Sequence, residues 1–489
     1  MDSDRARQFR HRTAHAVLAT LLLWATTARS APAADIFATA AEALPSPPAP
    51  PPGPRSPDDC QTQRSPASPL TLFEAIERAL CESPKTRASW AAIKAAAASL
   101  RISQSAYLPS LDASVKYLYQ HNTTQVPDAP QLQANYAQAV NEESLALGWV
   151  LYDFGARSAS VTNSRQLLLA AQANQNATLQ SVLATTAKDY FSAQAAYANV
   201  TSRHRIESAA QDTLAAATAR VDKGVSPITD QLQATTASAQ AVYERAKAEG
   251  ELRAALGAVA VDMSLSPDET LTLPQLDTGA VPDTRFVQAV HDLLEQARQS
   301  HPKVLAAAAQ WQGALANVHF AQSHGLPVVR LVGEADRSNQ PVSASLGQPE
   351  LPARTRDNYI GLRIEIPLFD EVDRHYQIRQ AQAQADLQEQ NLRDTRQQVA
   401  IGVWQGVQTL QTDTENLRNT EVVLNSARQA FEAAQHRYRS GVGNILELLN
   451  AQTLVATSEQ QWIQAQLDWR TARLQLAASL GTLGMWAIE

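Results

Sequence analysis

Residue types that ordinarily do chemistry are thinly spread along this 489-residue chain. Asp153-Phe154-Gly155 matches a kinase tripeptide, but no catalytic loop or lysine-bearing strand accompanies it. It reads instead as a strand-to-helix joint. His301, His319 and His324 have no ligand-like partners, and neither a glycine-rich phosphate loop nor a nucleophile elbow is present. No catalytic, cofactor or metal site is expected, and no enzyme. In an exported chain Cys60 and Cys81 could close a disulfide loop of about 20 residues, worth roughly 3 kcal/mol on the chain-entropy account. Two free thiols are the alternative. The groups that remain are charged and aromatic residues beside two glycine-containing turns, 223–227 and 440–444, and the elements that carry those turns decide what they can do.

The longest of these elements spans residues 371–438, which contain no proline. Val403, Leu410, Leu417, Leu424, Phe431 and Tyr438 recur there every seven residues, the mark of a helix in a left-handed coiled coil. Such a helix is about 100 Å long, a strut or wall rather than part of a compact core. Gly441 and Gly443 then reverse the chain into a second helix carrying Leu446, Leu449, Leu454 and Val455.

Composition agrees: 18 glycines, 6% aromatic residues and many Ala and Gln favour long helices with small-residue seams. No run of 18 apolar residues follows the N-terminal segment, so no helical membrane span is expected, but a membrane barrel gives a weaker signal. Net charge is −7. Residues 1–31 read as an export signal, with a basic stretch, an apolar stretch 16–28 and a small-residue cleavage zone at 28–31. They carry five arginines and two aspartates, so the remainder stands at −10, with no basic face for nucleic acid. Residues 32–69 form a proline-rich, extended linker.

Beyond Leu108-Pro109 the period changes from helical to two. Leu111, Ala113, Val115, Tyr117 and Tyr119 alternate with polar residues, and alternation returns at Leu145, Leu147, Trp149 and Leu151. Two strands of about ten residues joined by a loop of over twenty fit a membrane hairpin. An edge hairpin on a soluble domain is the alternative for one pair alone, but the layout recurs. Ser83-Pro84 returns as His301-Pro302 and Leu108-Pro109 as Leu326-Pro327. Tyr152-Asp153 returns as Phe369-Asp370, and Gly224-Val225 as Gly441-Val442. The second strand pair shows Val329 and Leu331, then Ile360, Leu362, Ile364 and Ile366.

The expected divisions follow. Residues 70–283 form a first repeat (hairpin 108–152, helical hairpin 155–265) and 284–483 a second (hairpin 326–368, helical hairpin 371–481), with a tail at 484–489. In each, two shorter helices end to end match the long one, and the stretch from 266 to 284 forms a belt outside them. Four strands cannot close a barrel, and open edges are not tolerated in lipid. Three copies sharing twelve strands are the simplest closed solution. The fold class is α+β membrane protein: a trimeric 12-stranded outer-membrane β-barrel, four strands per chain, continued by a long periplasmic α-helical barrel and built on an internal repeat. Three copies of Glu447 near a pore axis would repel one another and attract cations. A solvated helix charge is the alternative.

These landmarks resemble the TolC-like outer-membrane factor family, the exit ducts of tripartite efflux and type I secretion systems. The resemblance spans roughly residues 70–483. It rests on residues 147–155 (Leu-Gly-Trp-Val-Leu-Tyr-Asp-Phe-Gly), Ile366-Pro367-Leu368-Phe369-Asp370, residues 224–230, and Arg437-Tyr438-Arg439-Ser440-Gly441. It implies a homotrimer in the cell outer membrane that engages a periplasmic adaptor and an inner-membrane ABC or proton-driven transporter. It also implies a closed periplasmic end held by a tyrosine and a basic residue beside one turn and an aspartate beside the other, with an acidic ring at the mouth. Tyr438, Asp230 and Glu447 match the tyrosine, the aspartate and a ring position. Gly443 stands where the basic residue is expected and Asn450 where a second acidic ring would lie, and Arg439 is the candidate substitute cation. Gly224, Val225, Ser226, Gly441, Val442 and Gly443 are the expected adaptor-docking turns. Residues 80–87 (Leu-Cys-Glu-Ser-Pro-Lys-Thr-Arg) look like the secretion branch, which implies a protein substrate. Drug efflux is the alternative within the class, and a soluble periplasmic coiled-coil spacer is the alternative outside it.

Overall fold

The computed structural model describes residues 69–125, 127–129, 132–274, 290–342, 351–367 and 371–482. The expected export signal, nearly all of the linker, Cys60, Phe369-Asp370 and the C-terminal tail lie outside the described residues. Twelve elements are described in two matching runs. The first is α1 (Leu72–Glu82), α2 (Pro84–Ser105), β1 (Ser110–Thr124), β2 (Ala134–Tyr152), α3 (Ala156–Asp222) and α4 (Ile228–Asp262). The second is α5 (Val290–Ser300), α6 (Pro302–Ser323), β3 (Val328–Ser338), β4 (Thr355–Glu365), α7 (Glu371–Arg439) and α8 (Ile445–Ser479). Pro84 and Pro302 each occupy the first position of a helix, where a missing N–H costs nothing.

The helices form a wall four elements wide. Near the strands its order is α2, α3, α6, α7; toward the far end it is α4, α3, α8, α7. The two long helices, 67 and 69 residues, thus run the full height, about 100 Å, while pairs of 22 and 35 residues stack alongside them. The shortfall of each pair is close to the length of α1 or α5, 11 residues each. Both pack at the level where the shorter helices meet: Ile76 and Ala79 of α1 cluster with Leu183, Val259 and Met263, and Leu293 of α5 with Val304 and Val403.

The heptad residues face this wall. Val403, Leu417, Leu424 and Tyr438 are buried, and Leu410 and Phe431 are half-buried. Leu417 meets Trp469 and Ala465 of α8, and Val403 shares a cluster with Leu476 and Leu480. Midway along, Glu459 of α8 ties three helices. It accepts from Ser202 Oγ (2.5 Å) and Arg205 (2.6 Å) of α3 and from Arg428 (3.0 Å) of α7. In the belt, Leu271 joins the α1 cluster, Leu70 N donates to the Thr272 carbonyl (2.8 Å), and buried Tyr190 donates from its hydroxyl to the Leu70 carbonyl (2.8 Å). Burial pushes the Tyr190 pKa up to about 12. Cys81 is buried and disulfide-bonded.

One buried acid at this level gives stability a pH dependence. Asp262 ends α4 beside Asp189 and Thr186, with Oδ2 buried and without a hydrogen-bond partner among the described residues. Burial first, then the Asp189 charge, raises its pKa from 3.8 to about 6. A carboxyl raised on folding contributes stability below its unfolded pKa and loses it as pH rises through the folded one. Asp262→Asn is therefore expected to raise the melting temperature by a few degrees at pH 7 and to leave it unchanged near pH 4, read by thermal melts across that range. His301 is also buried. Its Nδ1 accepts from Lys303 N (3.2 Å), and burial lowers its pKa to about 4. It is a neutral packing residue.

The four strands form one antiparallel sheet in the order β1-β2-β3-β4. Register places Leu111 opposite Leu147, Leu147 opposite Gly333, and Gly333 opposite Ile360, so the alternating apolar residues of all four strands share one face. On that face Trp149, Leu331 and Leu362 form the next row toward the helices. The opposite face is polar. It carries Ser114–Ser144 (2.7 Å), Lys116–Glu142 (3.1 Å), Tyr359–Glu334 (2.7 Å) and Arg330–Glu365 (3.3 Å). The first hairpin differs from expectation. Its strands run 15 and 19 residues, with only residues 125–133 between them, in place of ten-residue strands and a loop of over twenty. The ladder continues past the apolar stretch because Gln120 to Thr124 pair with Ala134 to Gln138, where polar side chains cost nothing outside lipid.

The joint between β2 and α3 is held by side chains. Asp153 accepts from Gly155 N (3.3 Å) and Arg157 N (3.0 Å) and pairs with Arg157 Nε (2.8 Å). Arg157 also donates to the Val150 carbonyl (2.7 Å) and lies 4.6 Å over the Tyr107 ring. The Asp-Phe-Gly tripeptide is thus a capped corner.

Candidate gate at the paired helix turns

At the end of the wall far from the sheet, the α3–α4 and α7–α8 turns pack side by side. Ala217, Ala234, Ala434, Tyr438, Ile445 and Leu448 form a buried cluster between them. Small residues on α3, α4 and α7 let the backbones approach, and Tyr438 fills the remaining space.

Asn444 caps α8, its side chain accepting from Glu447 N (2.7 Å). Gly441 has φ +80°, in the left-handed region that a helix-ending turn requires. Gly443 is needed for a different reason: a Cβ there would lie 2.9 Å from Tyr438 N and 3.1 Å from Arg437 C. The tight turn therefore excludes any side chain at 443, the position where the resemblance leads one to expect a basic residue. Gly443→Arg is expected to lose about 1–3 kcal/mol of stability through backbone displacement. Thermal denaturation beside an exposed-loop control checks this.

The cation on Tyr438 comes from elsewhere. Arg220, in the last turn of α3, donates to the Tyr438 carbonyl (2.9 Å) and to Ser226 Oγ (3.2 Å), and its guanidinium lies 4.9 Å over the Tyr438 ring. Arg220 thus joins both turns. Arg439 is exposed and forms no ion pair among the described residues, whereas Arg437 pairs with Glu447 across the turn at 3.5 Å. Asp230 is half-buried, near enough to act on Tyr438 but not hydrogen-bonded to it. Among the described residues Tyr438 Oη is buried without a hydrogen-bond partner. Burial raises the Tyr438 pKa, which Arg220 opposes and Asp230 reinforces.

The structure thus brings together Asp230, Tyr438, Arg437, Glu447 and Arg220, and leaves Arg439 outside. Arg220 was missed because its partner is 218 residues away and one of its bonds is to a carbonyl, which leaves no trace in sequence. One signal was available: Arg220 and Arg437 occupy equivalent positions in the two repeats. Around the cluster Val225, Val442, Ile228 and Leu446 are exposed, an apolar rim on both turns.

Known proteins resemble the whole of this architecture. The family described as outer membrane efflux protein matches residues 75–261 and 293–482, taking in most of both runs of elements. Protein CyaE of Bordetella pertussis is 31% identical over 429 residues, covering 86% of each chain. Outer membrane protein TolC of Vibrio cholerae is 24% identical over 386 residues, covering 78% of this chain and 84% of that one. Among solved structures, the outer-membrane channel OprN superposes with a TM-score of 0.73 at 20% identity, covering 85% of this chain and 90% of the other. On the match to both halves and on the extent of the 31% identical relative, this chain belongs to the outer membrane efflux protein family.

Proposed function

We propose that three copies of this chain close a twelve-stranded barrel in the outer membrane and continue as a periplasmic tube, forming the exit duct of an export system. The observation that carries this reading is the four-stranded sheet, with one apolar face, one polar face and, among the described residues, unpaired edges at β1 and β4. Neither edge is tolerable in lipid, and closure by three copies satisfies both while placing the polar faces around a lumen. The turn cluster then lies at the far mouth as the gate. Arg220 and Tyr438 hold the two helical hairpins together, Glu447 lines the entrance, and the exposed turns with Val225 and Val442 receive a periplasmic adaptor.

The substrate assigned is a protein, delivered by an inner-membrane ABC transporter, on the likeness of residues 80–87 to the secretion branch. The family description names efflux, which favours a second reading, a drug-efflux channel. Deleting the gene distinguishes them. Loss of one exported protein from the medium with unchanged drug sensitivity supports the first. Hypersensitivity to drugs with intact secretion supports the second.

A further inference from the structure

One row of the sheet's apolar face is charged. Val115 stands opposite Glu143, Glu143 opposite Arg337, and Arg337 opposite Arg356. Directly opposed residues share a face, so Glu143, Arg337 and Arg356 project on the side that carries Leu147, Leu331, Leu362 and Ile360. All three are exposed, and among the described residues none forms an ion pair. Two arginines directly opposite each other are mutually unfavourable. The single glutamate can offset only one of them, so the row keeps an uncompensated positive charge beside lipid.

Height explains why the row is tolerated. From Val329 and Ile364, at the helix-proximal end, Arg337 and Arg356 lie eight residues along their strands, about 27 Å, or about 20 Å along the membrane normal at a barrel tilt of ~40°. The apolar band of such barrels is about 25 Å tall, so the row falls at its far edge. A row perpendicular to tilted strands crosses the bilayer obliquely. Accordingly β1 remains apolar for two more residues on this face, Tyr117 and Tyr119, while β3 and β4 have already become charged. With the helices hanging from the opposite end of the sheet, this edge meets the outer leaflet.

We infer that Arg337 and Arg356, tuned by Glu143, bind a phosphate-bearing headgroup of an outer-leaflet glycolipid. Guanidinium pairs with phosphate bidentately, and two adjacent guanidinium groups match a doubly charged phosphate monoester, or two phosphates on one headgroup. The anion removes the arginine–arginine conflict, and the acyl chains continue down the apolar face toward Leu331 and Leu362. The site rests on the proposed reading that this face meets outer-membrane lipid, but not on conduction or gating.

The test uses the full-length protein as purified in detergent and scores retention of bisphosphoryl lipid A, its dephosphorylated form and phosphatidylglycerol by native mass spectrometry. The native protein should retain bisphosphoryl lipid A over the dephosphorylated form. R337A/R356A should lose about tenfold of that retention, and R337K/R356K should fall between. Glu143→Gln should bind more tightly, because it removes the negative charge opposite Arg337 that an anion must approach. Equal retention by native protein and R337A/R356A overturns the assignment, as does no preference for the phosphorylated form, or displacement by millimolar inorganic phosphate, which would indicate a free-anion site. If the double variant does not assemble, unchanged retention by Glu143→Gln overturns it. Single-channel conductance is recorded alongside: a non-conducting native protein that still selects bisphosphoryl lipid A would refute the duct and leave this site standing.

Discussion

Replacing Leu147 by arginine should remove the protein from the outer membrane, while the same replacement at its neighbour Ala146 should be tolerated. Leu147 sits on the apolar face in the row Leu111–Leu147–Gly333–Ile360, midway between the helix-proximal rows and the charged one. An arginine at that depth costs about 2–4 kcal/mol on the lipid face of a barrel. In a trimer the cost is incurred three times, comparable to the whole stability of an ordinary domain, about 5–15 kcal/mol. Ala146 faces the other way, between Asp112 of β1 and Glu334 of β3, where a guanidinium gains partners. Outer-membrane fractions blotted for heat-sensitive trimer read the difference. Equal accumulation of both variants would mean that the apolar face does not meet lipid.

Removal of Arg220 should loosen the far mouth. Its contact with Tyr438 combines a hydrogen bond from a charged donor, about 1.5–3 kcal/mol, with a cation–π contact of about 0.5–1 kcal/mol. Losing about 2 kcal/mol between the hairpins multiplies the open population of each subunit roughly thirtyfold. Arg220→Ala is therefore expected to lengthen open dwell times in planar bilayers several-fold, with a fall in melting temperature of only a few degrees. Arg220→Lys should fall between, keeping the charge but losing the planar face over the ring. Wild-type gating in Arg220→Ala would remove Arg220 from the gate.

Much of this architecture is legible in the sequence because its signals are periodic. The heptad from Val403 to Tyr438 fixes one face of α7, and that face packs as its spacing demands. The paired turns at 224 and 441 mark where each long helix reverses, and Asp153-Phe154-Gly155 marks a corner. Strand ends were less legible: Gln120 to Thr124 alternate no apolar residues, and only cross-strand pairing reveals that the ladder continues. The bridging role of α1 and α5 between stacked helices is not legible in their own residues, since it depends on lengths fixed elsewhere. At the turns, sequence supplied Tyr438, Asp230 and Glu447 but offered Arg439 as the cation. A side chain one residue beyond the buried Tyr438 points away from the cluster, whereas Arg220 reaches it from the neighbouring hairpin. The exclusion of a side chain at Gly443 is a distance to backbone atoms, which no residue pattern encodes.

Closure of the sheet by three copies is the claim on which the rest depends. Light scattering of the detergent-solubilised protein, with its detergent mass subtracted, followed by insertion of the same sample into planar bilayers, tests it most directly. The expected result is a protein mass three times that of one chain and discrete conductance steps. A stable monomer that conducts nothing would contradict it.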